Sequence, residues 1–261
     1  MAIDWCPFAQ SRPINSNNFL KGRNNRQVKA VVLHIAAGQL AGVFPTFNDP
    51  NRGTSAHFCI GKKGEIEQYV SVNDTAYANG LKWDAANKQW LCPHNNVVKP
   101  AWQDLTPPDN PNWYTVSIEH EGMPVDVWTP AMYDANLRLL LWLADQFHLT
   151  YFAHHTLIGH FEIDPVDKSN CPGPNVEWER MVAGLAAINA AKQTQWMPIN
   201  TDGALYSFAQ DQNLGYPQTD EFEFTRGADT YVGQVYNLGI VFVKKGDWGN
   251  CQWMKKPTGL Q

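Results

Sequence analysis

The sequence predicts an α/β fold in which helices flank one mixed central β-sheet, followed by a small β-rich C-terminal module. Two observations predict this fold class. First, β-branched apolar runs of strand length are followed by segments with strong helical periodicity. Second, the sequence pattern changes beyond Lys192 to short β-like runs. We place the domain boundary near 193–198, which gives a first domain of residues 1–194 and a second of residues 195–261.

The first domain is expected to build its sheet from four strands. The run VKAVVLHIAAG at 28–38 reads as a buried strand with His34 near its C-terminal end. Residues 56–60 and 65–70 predict two more strands, joined by a Gly-Lys-Lys-Gly hairpin. The run TVSIEHEG at 115–122 predicts a fourth strand, on which Glu119 and Glu121 share one face because side chains repeat every two residues.

Two helices are predicted after these strands. The first has Thr129 as its N-cap and Pro130 at its first position, and its apolar residues recur at three- and four-residue steps to about Leu149. The second runs from about Asn175, a candidate cap, to Ala191. Between them, LIGHFEIDPVDKSNCPGP begins as a short apolar segment and becomes a polar loop.

Residues 79–112 shift in composition to Asn, Pro, Trp and Lys without a sustained period, which predicts a long loop insertion. Four tryptophans lie in Pro/Asn-rich stretches and are expected to be exposed, namely Trp83, Trp90, Trp102 and Trp113. Exposed aromatic rings in loops favour a surface that grips flat or sugar-like ligands. We take Trp83 and Trp113 as candidate substrate contacts.

Composition and charge exclude several classes of function. The net charge of -5 and the lack of any Lys/Arg block argue against nucleic acid as a partner. No run of about 18 apolar residues predicts a membrane span, and the N-terminus MAIDWCPFAQ lacks the basic and apolar regions of a signal peptide. Five cysteines at wide, unpatterned spacings favour reduced thiols over a disulfide framework.

A catalytic zinc site needs three ligands on rigid elements and keeps a further position for water. His34 at a strand end, His160 after an apolar segment and Cys171 could converge if the polar loop folds back. The other histidines available by composition are His57, His154 and His155. Glu162 and Asp164 are candidates for the group that orients a metal-bound imidazole.

Four motifs, in order and approximate spacing, resemble the zinc-dependent N-acetylmuramoyl-L-alanine amidases of the type 2 amidase and peptidoglycan recognition protein family. These motifs are VVLH, SAHFCIGKKGEIEQYV, VSIEHEG and GHFEIDPVDKSNCPGP, and the likeness spans roughly residues 28–183. The resemblance implies one catalytic Zn²⁺ held by His34, His160 and Cys171. Relatives have either Cys or Asp at the position of Cys171.

The resemblance also implies roles for the neighbouring residues. Glu119 matches the general base of the anhydromuropeptide branch, whereas Ala56 stands where the phage branch has a tyrosine. Lys168 matches a lysine that faces the oxyanion, although its loop holds one extra residue. On the substrate side, His57 matches a position close to the site, and Tyr77 is the aromatic member of a pair whose histidine is replaced by alanine.

The activity implied is hydrolysis of the bond between N-acetylmuramic acid and L-alanine in bacterial peptidoglycan. The alternatives are a non-catalytic peptidoglycan recognition module and a zinc peptidase that attacks stem-peptide bonds. A catalytic domain first and a wall-binding module second resemble a phage or prophage endolysin, made in the cytoplasm and acting on the cell wall after release. A cytoplasmic muropeptide-recycling amidase is the alternative setting, and a monomer is the favoured oligomeric state.

The C-terminal module is expected to be built from the runs ALYSFA, TYVGQVYNL and GIVFVKK. The string LGYPQTDEF at 214–222 resembles one LGFP-type repeat, a short module associated with cell-wall proteins. The aromatic side chains that could stack on sugar rings are Tyr216, Tyr231, Tyr236, Trp248 and Trp253. The alternative is that these rings form the small core of the module.

Overall fold

The structure, a computed structural model, describes residues 4–193 and 199–255. The chain divides into two compact units, Met1–Ile188 and Asn189–Gln261. The predicted boundary between residues 194 and 195 lies outside the described residues and stays a prediction. The predicted fold class is confirmed, because a mixed sheet is flanked by helices in the first unit and a separate β-sheet follows in the second.

Within the described residues, the elements of the first unit include eleven strands and four α-helices. The strands are β1 (Gln10–Ser11), β2 (Phe19–Leu20), β3 (Ala30–Ile35), β4 (Phe58–Ile60), β5 (Ile66–Gln68), β6 (Thr75–Ala76), β7 (Lys82–Asp84), β8 (Gln89–Leu91), β9 (Val97–Val98), β10 (Thr115–His120) and β11 (Leu157–Gly159). The helices are α1 (Leu40–Asn48), α2 (Pro130–Phe147), α3 (His160–Ile163) and α4 (Trp178–Gln193). Helix α4 continues across the division between the two units.

Six strands form the central sheet, in the order β1-β5-β4-β10-β3-β11. Strands β4 and β5 pair antiparallel, and the other neighbours pair parallel. Every residue of β3 is buried. An interior strand of a parallel arrangement is covered on both faces, so its sequence is a continuous apolar run rather than an alternation. This is why residues 28–38 predict a strand.

One face of the sheet packs against α2 and α4. Inward side chains of β3 and β10, such as Leu33 and Ile118, lie in one core cluster with Leu139 and Leu143 of α2. The predicted start of α2 is confirmed, because Thr129 Oγ1 accepts a hydrogen bond of 3.1 Å from the Met132 backbone N–H.

The second predicted helix begins at Trp178 and not at Asn175. The Asn175 side chain donates to the Val125 carbonyl at 2.8 Å, so it holds a neighbouring loop instead of capping a helix.

The opposite face of the sheet is covered by the insertion, and here the sequence expectation is wrong. Residues 82–98 form a three-stranded antiparallel sheet, β7-β8-β9. Trp90 and Trp102 are 7% and 2% exposed and pack in one cluster with Val32 and Ile158 of the central sheet. The physical reason is that the apolar second face of β3 and β11 has to be covered.

The second unit consists of a helix and a four-stranded antiparallel sheet in strand order. These elements are α5 (Ala204–Asp211), β12 (Phe222–Arg226), β13 (Asp229–Val235), β14 (Gly239–Lys244) and β15 (Gln252–Lys255). The run ALYSFA is therefore helical and not β-like. Its buried residues Leu205 and Ala209 are four positions apart, the helical spacing, and they pack in one cluster with Val241 of the sheet.

All five cysteines are free thiols, which confirms the expectation from their spacing. Within the described ranges, none of the helices has the length and apolar character that crossing a bilayer requires.

Candidate metal centre and active site

The candidate site lies where three neighbouring parallel strands end. His34 is the penultimate residue of β3, and Glu119 of β10 is its Cα partner in the register of the two strands. On the other side of β3, β11 ends at Gly159 and leads directly into His160. Because parallel strands have their carboxyl ends at one edge of the sheet, the topology brings these three side chains together.

Cys171 reaches the same place because the polar loop folds back. The Phe161 backbone N–H donates to the Cys171 carbonyl at 3.0 Å, and the Cys171 N–H donates to the Lys168 carbonyl at 3.0 Å. The Ile35 N–H at the end of β3 donates to Cys171 Sγ at 3.4 Å. These contacts hold the sulfur against the strand end that carries His34.

The donor atoms of His34, His160 and Cys171 all lie within 4.8 Å of one another. The two Nδ1 atoms of the histidines are 2.9 Å apart. His160 Nε2 lies 3.4 Å from the Asn79 carbonyl and donates to it, which leaves Nδ1 as the atom with the free lone pair. Two imidazole nitrogens and one thiolate sulfur form the donor set that zinc prefers.

Electrostatics support the same interpretation. Burial lowers the pKa of His160 to about 3 and that of His34 well below its usual value, so both rings are neutral and able to act as ligands. Burial, followed by the charge of Glu119, raises the pKa of Cys171 to about 12. A divalent cation would provide the positive charge that stabilises this thiol as a thiolate.

Two buried polar atoms at the site have no hydrogen-bond partner among the described residues, namely His34 Nε2 and Glu119 Oε2. Buried polar atoms are normally paired, so unpaired ones at a cleft mark a place where a ligand completes the site. The residues present therefore fit a zinc ion.

Glu119 has the properties of a proton acceptor. Burial raises its pKa to about 7, and the nearby Lys168 charge partly opposes that shift. A carboxyl group whose pKa lies near neutral pH can take up a proton and release it during one reaction cycle. Its carboxylate faces the same cleft as the three candidate ligands.

The cleft has a volume of about 360 Å³, and its wall includes the candidate ligands, Glu119 and Lys168. Lys168 is exposed, and its charge acts on the pKa values of Glu119, Cys171 and both candidate histidine ligands. Its ammonium group is therefore positioned to act on negative charge that develops in the cleft.

The candidate substrate residues lie elsewhere. Tyr77, Trp83 and Trp113 are half-buried and do not belong to the wall of this cleft. Ala78 and Thr54 contribute to the wall in that region. The roles predicted for the three aromatic residues stay predictions.

His57 is a core residue. It is 1% exposed, its Nδ1 accepts from the Ser117 N–H at 3.0 Å, and its Nε2 donates to the Asp74 carbonyl at 3.2 Å. The Arg23 guanidinium lies 3.0 Å from the same Nε2. The ring thus joins two chain segments next to a buried cation and does not face the cleft.

This environment predicts how stability depends on pH. Burial, and then the Arg23 charge, lower the pKa of His57 well below 6.5 in the folded chain. The unfolded chain therefore binds the extra proton first, and stability present above about pH 6.5 is lost as the pH falls. We expect the melting temperature of the metal-free protein to decline between pH 7.5 and pH 5, and His57→Gln to make that decline shallower. Equal slopes in the two proteins would contradict this assignment.

Sequence reasoning missed the groups that orient the ligands. The Asn79 carbonyl bonds to His160, whereas the predicted partner Glu162 accepts from the Gly159 N–H at 2.7 Å. Behind the site, His120 Nδ1 donates to the His34 carbonyl at 2.9 Å. A backbone carbonyl has no sequence signal, but the alternation in VSIEHEG does place His120 on the face opposite to Glu119.

Fold and site together define a mixed α/β protein with a candidate His-His-Cys metal site at the carboxyl edge of its sheet. Residues 24–174 match the family Amidase_2, described as N-acetylmuramoyl-L-alanine amidase. The chain belongs to this family.

The chain is also similar to a curated relative and to solved structures. The chain is 31% identical over 130 residues to N-acetylmuramoyl-L-alanine amidase A of Achromobacter lyticus, which covers 49% of this chain and 56% of the relative. The matched region thus spans little more than half of that protein. A crystal structure of an AmpD derivative superposes with a TM-score of 0.50 at 19% identity, over 71% of this chain and 98% of the other, and shows the same fold. The endolysin amidase LysCS of Clostridium intestinale URNW gives a TM-score of 0.48 at 17% identity, over 70% and 98% of the two chains.

Proposed function

We propose that this protein is a zinc-dependent peptidoglycan hydrolase that cleaves the amide bond between N-acetylmuramic acid and L-alanine. The observation that carries the proposal is the convergence of His34, His160 and Cys171 beside Glu119 at the end of the parallel strands. Membership of the amidase family and the name of the Achromobacter lyticus relative support the choice of bond.

His34, His160 and Cys171 would hold the zinc ion in this proposal. A zinc ion supplies a Lewis acid that activates water near neutral pH and polarises a carbonyl oxygen. Glu119 takes the proton of the attacking water and passes it to the leaving amine of L-alanine. Lys168 stabilises the negative charge that develops on the carbonyl oxygen, and loss of one such donor typically costs about 10²- to 10³-fold in rate.

Mass spectrometry of digested peptidoglycan tests the proposal directly. We expect purified, zinc-loaded protein to release peptides with a free L-alanine N-terminus and glycan chains with a free lactyl carboxylate. Peptides cut within the stem would instead show a zinc peptidase, and binding without any released fragment would show a recognition module.

The second unit is proposed as a wall-binding module. Its aromatic rings divide into two groups, because Tyr236 is fully buried in the small core whereas Tyr216 and Trp248 are 66% and 47% exposed. Exposed aromatic faces can stack on sugar rings. The sugar-binding alternative therefore applies to the exposed rings, and the core alternative applies to Tyr236.

Replacing exposed aromatic residues tests this assignment without disturbing the core. We expect Tyr216→Ala combined with Trp248→Ala to weaken sedimentation with purified cell walls about tenfold, since each stacked ring contributes about 0.5–1.5 kcal/mol. Hydrolysis of a soluble muropeptide should stay unchanged. Val125→Ala, a change of an exposed apolar residue in the first unit, is the control. Unchanged wall binding by the double variant would contradict the proposal.

An endolysin role follows as the proposed setting, because a recycling amidase would have little use for a wall-binding module. An experiment that separates the two settings measures the turbidity of a bacterial suspension after the purified protein is added from outside. An endolysin lowers the turbidity of cells whose wall is accessible, and a recycling enzyme acts only on released muropeptides.

A further inference from the structure

A second cluster of metal-ligating side chains lies beside the catalytic cleft, and one of its members, Asp167, belongs to the wall of that cleft. The donor atoms of Cys92, Asp164 and Asp167 all lie within 4.8 Å of one another. Cys92 and Asp164 are both 0% exposed, and the Asp167 side chain is 13% exposed. One thiol and two carboxyl groups thus meet in a place almost closed to solvent.

The Asp164 carboxylate has one oxygen with a hydrogen-bonding capacity that no described residue satisfies. Its Oδ1 accepts the backbone N–H groups of Val166 and Asp167 at 3.1 and 2.9 Å. Its Oδ2 is buried and has no hydrogen-bond partner among the described residues. An unpaired carboxylate oxygen inside a protein is costly unless a cation or a donor compensates it.

Each candidate ligand is held by a tight turn. Cys92 donates its backbone N–H to the Asn96 carbonyl at 3.0 Å and accepts from the Asn95 N–H at 2.9 Å, which fixes the turn between β8 and β9. The bonds to Asp164 Oδ1 fix the turn that carries Asp167. His94 Nδ1 contacts Asp167 Oδ2 at 2.7 Å and orients that carboxylate from the solvent side. A carboxylate oriented by a second hydrogen-bonding group is typical of metal ligands.

We infer that Cys92, Asp164 and Asp167 form a second, structural site for a divalent cation of the zinc type. The thiolate selects a borderline or soft ion such as Zn²⁺ over Mg²⁺ or Ca²⁺, and the carboxylates complete a ligand set that zinc accepts. Binding would release the proton of the Cys92 thiol, since the thiolate is the ligand.

The cluster lies between two separate segments of the first unit. Cys92 belongs to the insertion that covers one face of the sheet, whereas Asp164 and Asp167 belong to the loop between His160 and Cys171. A cation bound there would link the insertion to the loop that carries Lys168. It would therefore stabilise the position of Lys168 in the wall of the cleft. The site would thus cross-link two chain segments next to the catalytic centre.

Cobalt substitution of the full-length protein distinguishes the two sites. In the Cys171→Ser variant the catalytic thiolate is gone, so a cobalt–thiolate absorption band in the metal-free protein titrated with Co²⁺ must come from another thiol, and the Cys92 and Cys6 variants identify which one. We expect that band in Cys171→Ser, its loss on adding Cys92→Ser, and its retention on adding Cys6→Ser, the change of another buried free thiol in the same unit. Absence of the band from Cys171→Ser would overturn the inference.

Zinc content gives the second measurement. After dialysis against zinc, we expect two equivalents in the wild-type chain and one in Cys92→Ala, with Asp167→Asn weakening the second site by at least about tenfold. Asp167 is partly exposed, so its variant should fold even if Cys92→Ala does not. One equivalent in the wild type, retained by both variants and lost with Cys171→Ser, would overturn the second site while leaving the amidase proposal intact. One equivalent in the wild type, lost with Cys92→Ala and retained by Cys171→Ser, would instead support the inference and contradict the amidase proposal.

Discussion

Cys171→Ser is expected to remove the catalytic zinc and to lower peptidoglycan hydrolysis by about 10³-fold or more. Cys171 supplies the only sulfur among the three converging donors, and its thiolate form is favoured by a cation in place. A serine hydroxyl is not a ligand of comparable strength for zinc. Losing the several kcal/mol that a metal contributes to transition-state stabilisation corresponds to a rate loss of this order.

Zinc content after dialysis and the initial rate on purified peptidoglycan measure the two effects in the same samples. Cys251→Ser is the matched control, because Cys251 is a free, partly buried thiol in the second unit. Cys171→Asp should recover part of both signals, since a carboxylate is also a zinc ligand. If Cys171→Ser kept its zinc and its rate, the three-ligand centre would be wrong.

The sequence could predict those parts of the site that side-chain pattern and strand topology determine. His34 lies at the end of an apolar run, and Glu119 lies on an alternating segment, so each could be placed on a strand. Neither sequence pattern shows that β10 pairs with β3, or that this pairing places Glu119 opposite His34. The resemblance to the amidase family assigned both residues to one site, but the pairing of the two strands was not predicted.

The covering of the sheet could not be predicted from composition. A segment rich in Asn and Pro reads as an exposed loop, yet Trp90 and Trp102 are buried because the second face of the sheet needs an apolar cover. The strands of this insertion are only two or three residues long, which is too short for a detectable period. The same limit applies to hydrogen bonds made by backbone carbonyls, such as that of Asn79 to His160.

Local pattern also failed at ALYSFA, which the sequence analysis interprets as a short β-like run. Its helix is stabilised by tertiary packing of Leu205 and Ala209 against Val241 of the neighbouring sheet. Short segments of this kind depend on their neighbours more than on propensity. Long elements such as α2, with a cap and many buried apolar side chains, can be predicted from sequence alone.

Glu119→Gln is expected to lower the rate by about 10²- to 10⁴-fold while the zinc content stays at the wild-type value. The amide has the size of the carboxylate but cannot take up a proton at neutral pH. Only the carboxylate form of Glu119 accepts a proton, so the wild-type rate should fall as the pH is lowered, and this acidic limb should be absent from the variant. Rates from pH 5 to pH 9, with zinc content measured in parallel, provide the test.

Stability gives a second readout, which reports on the buried environment of Glu119. Burial raises the pKa of Glu119 to about 7, so the folded chain binds this proton more tightly than the unfolded chain, and stability falls as the pH rises from about 4.5 through 7. At pH 8 the metal-free Glu119→Gln protein should therefore melt at or above the wild-type temperature. Glu121→Gln, whose carboxylate accepts from the Lys62 N–H outside the cleft, should keep the rate. An active Glu119→Gln, or one that has lost its zinc, would mean that Glu119 is not the base, because its effect would then be absent or indirect.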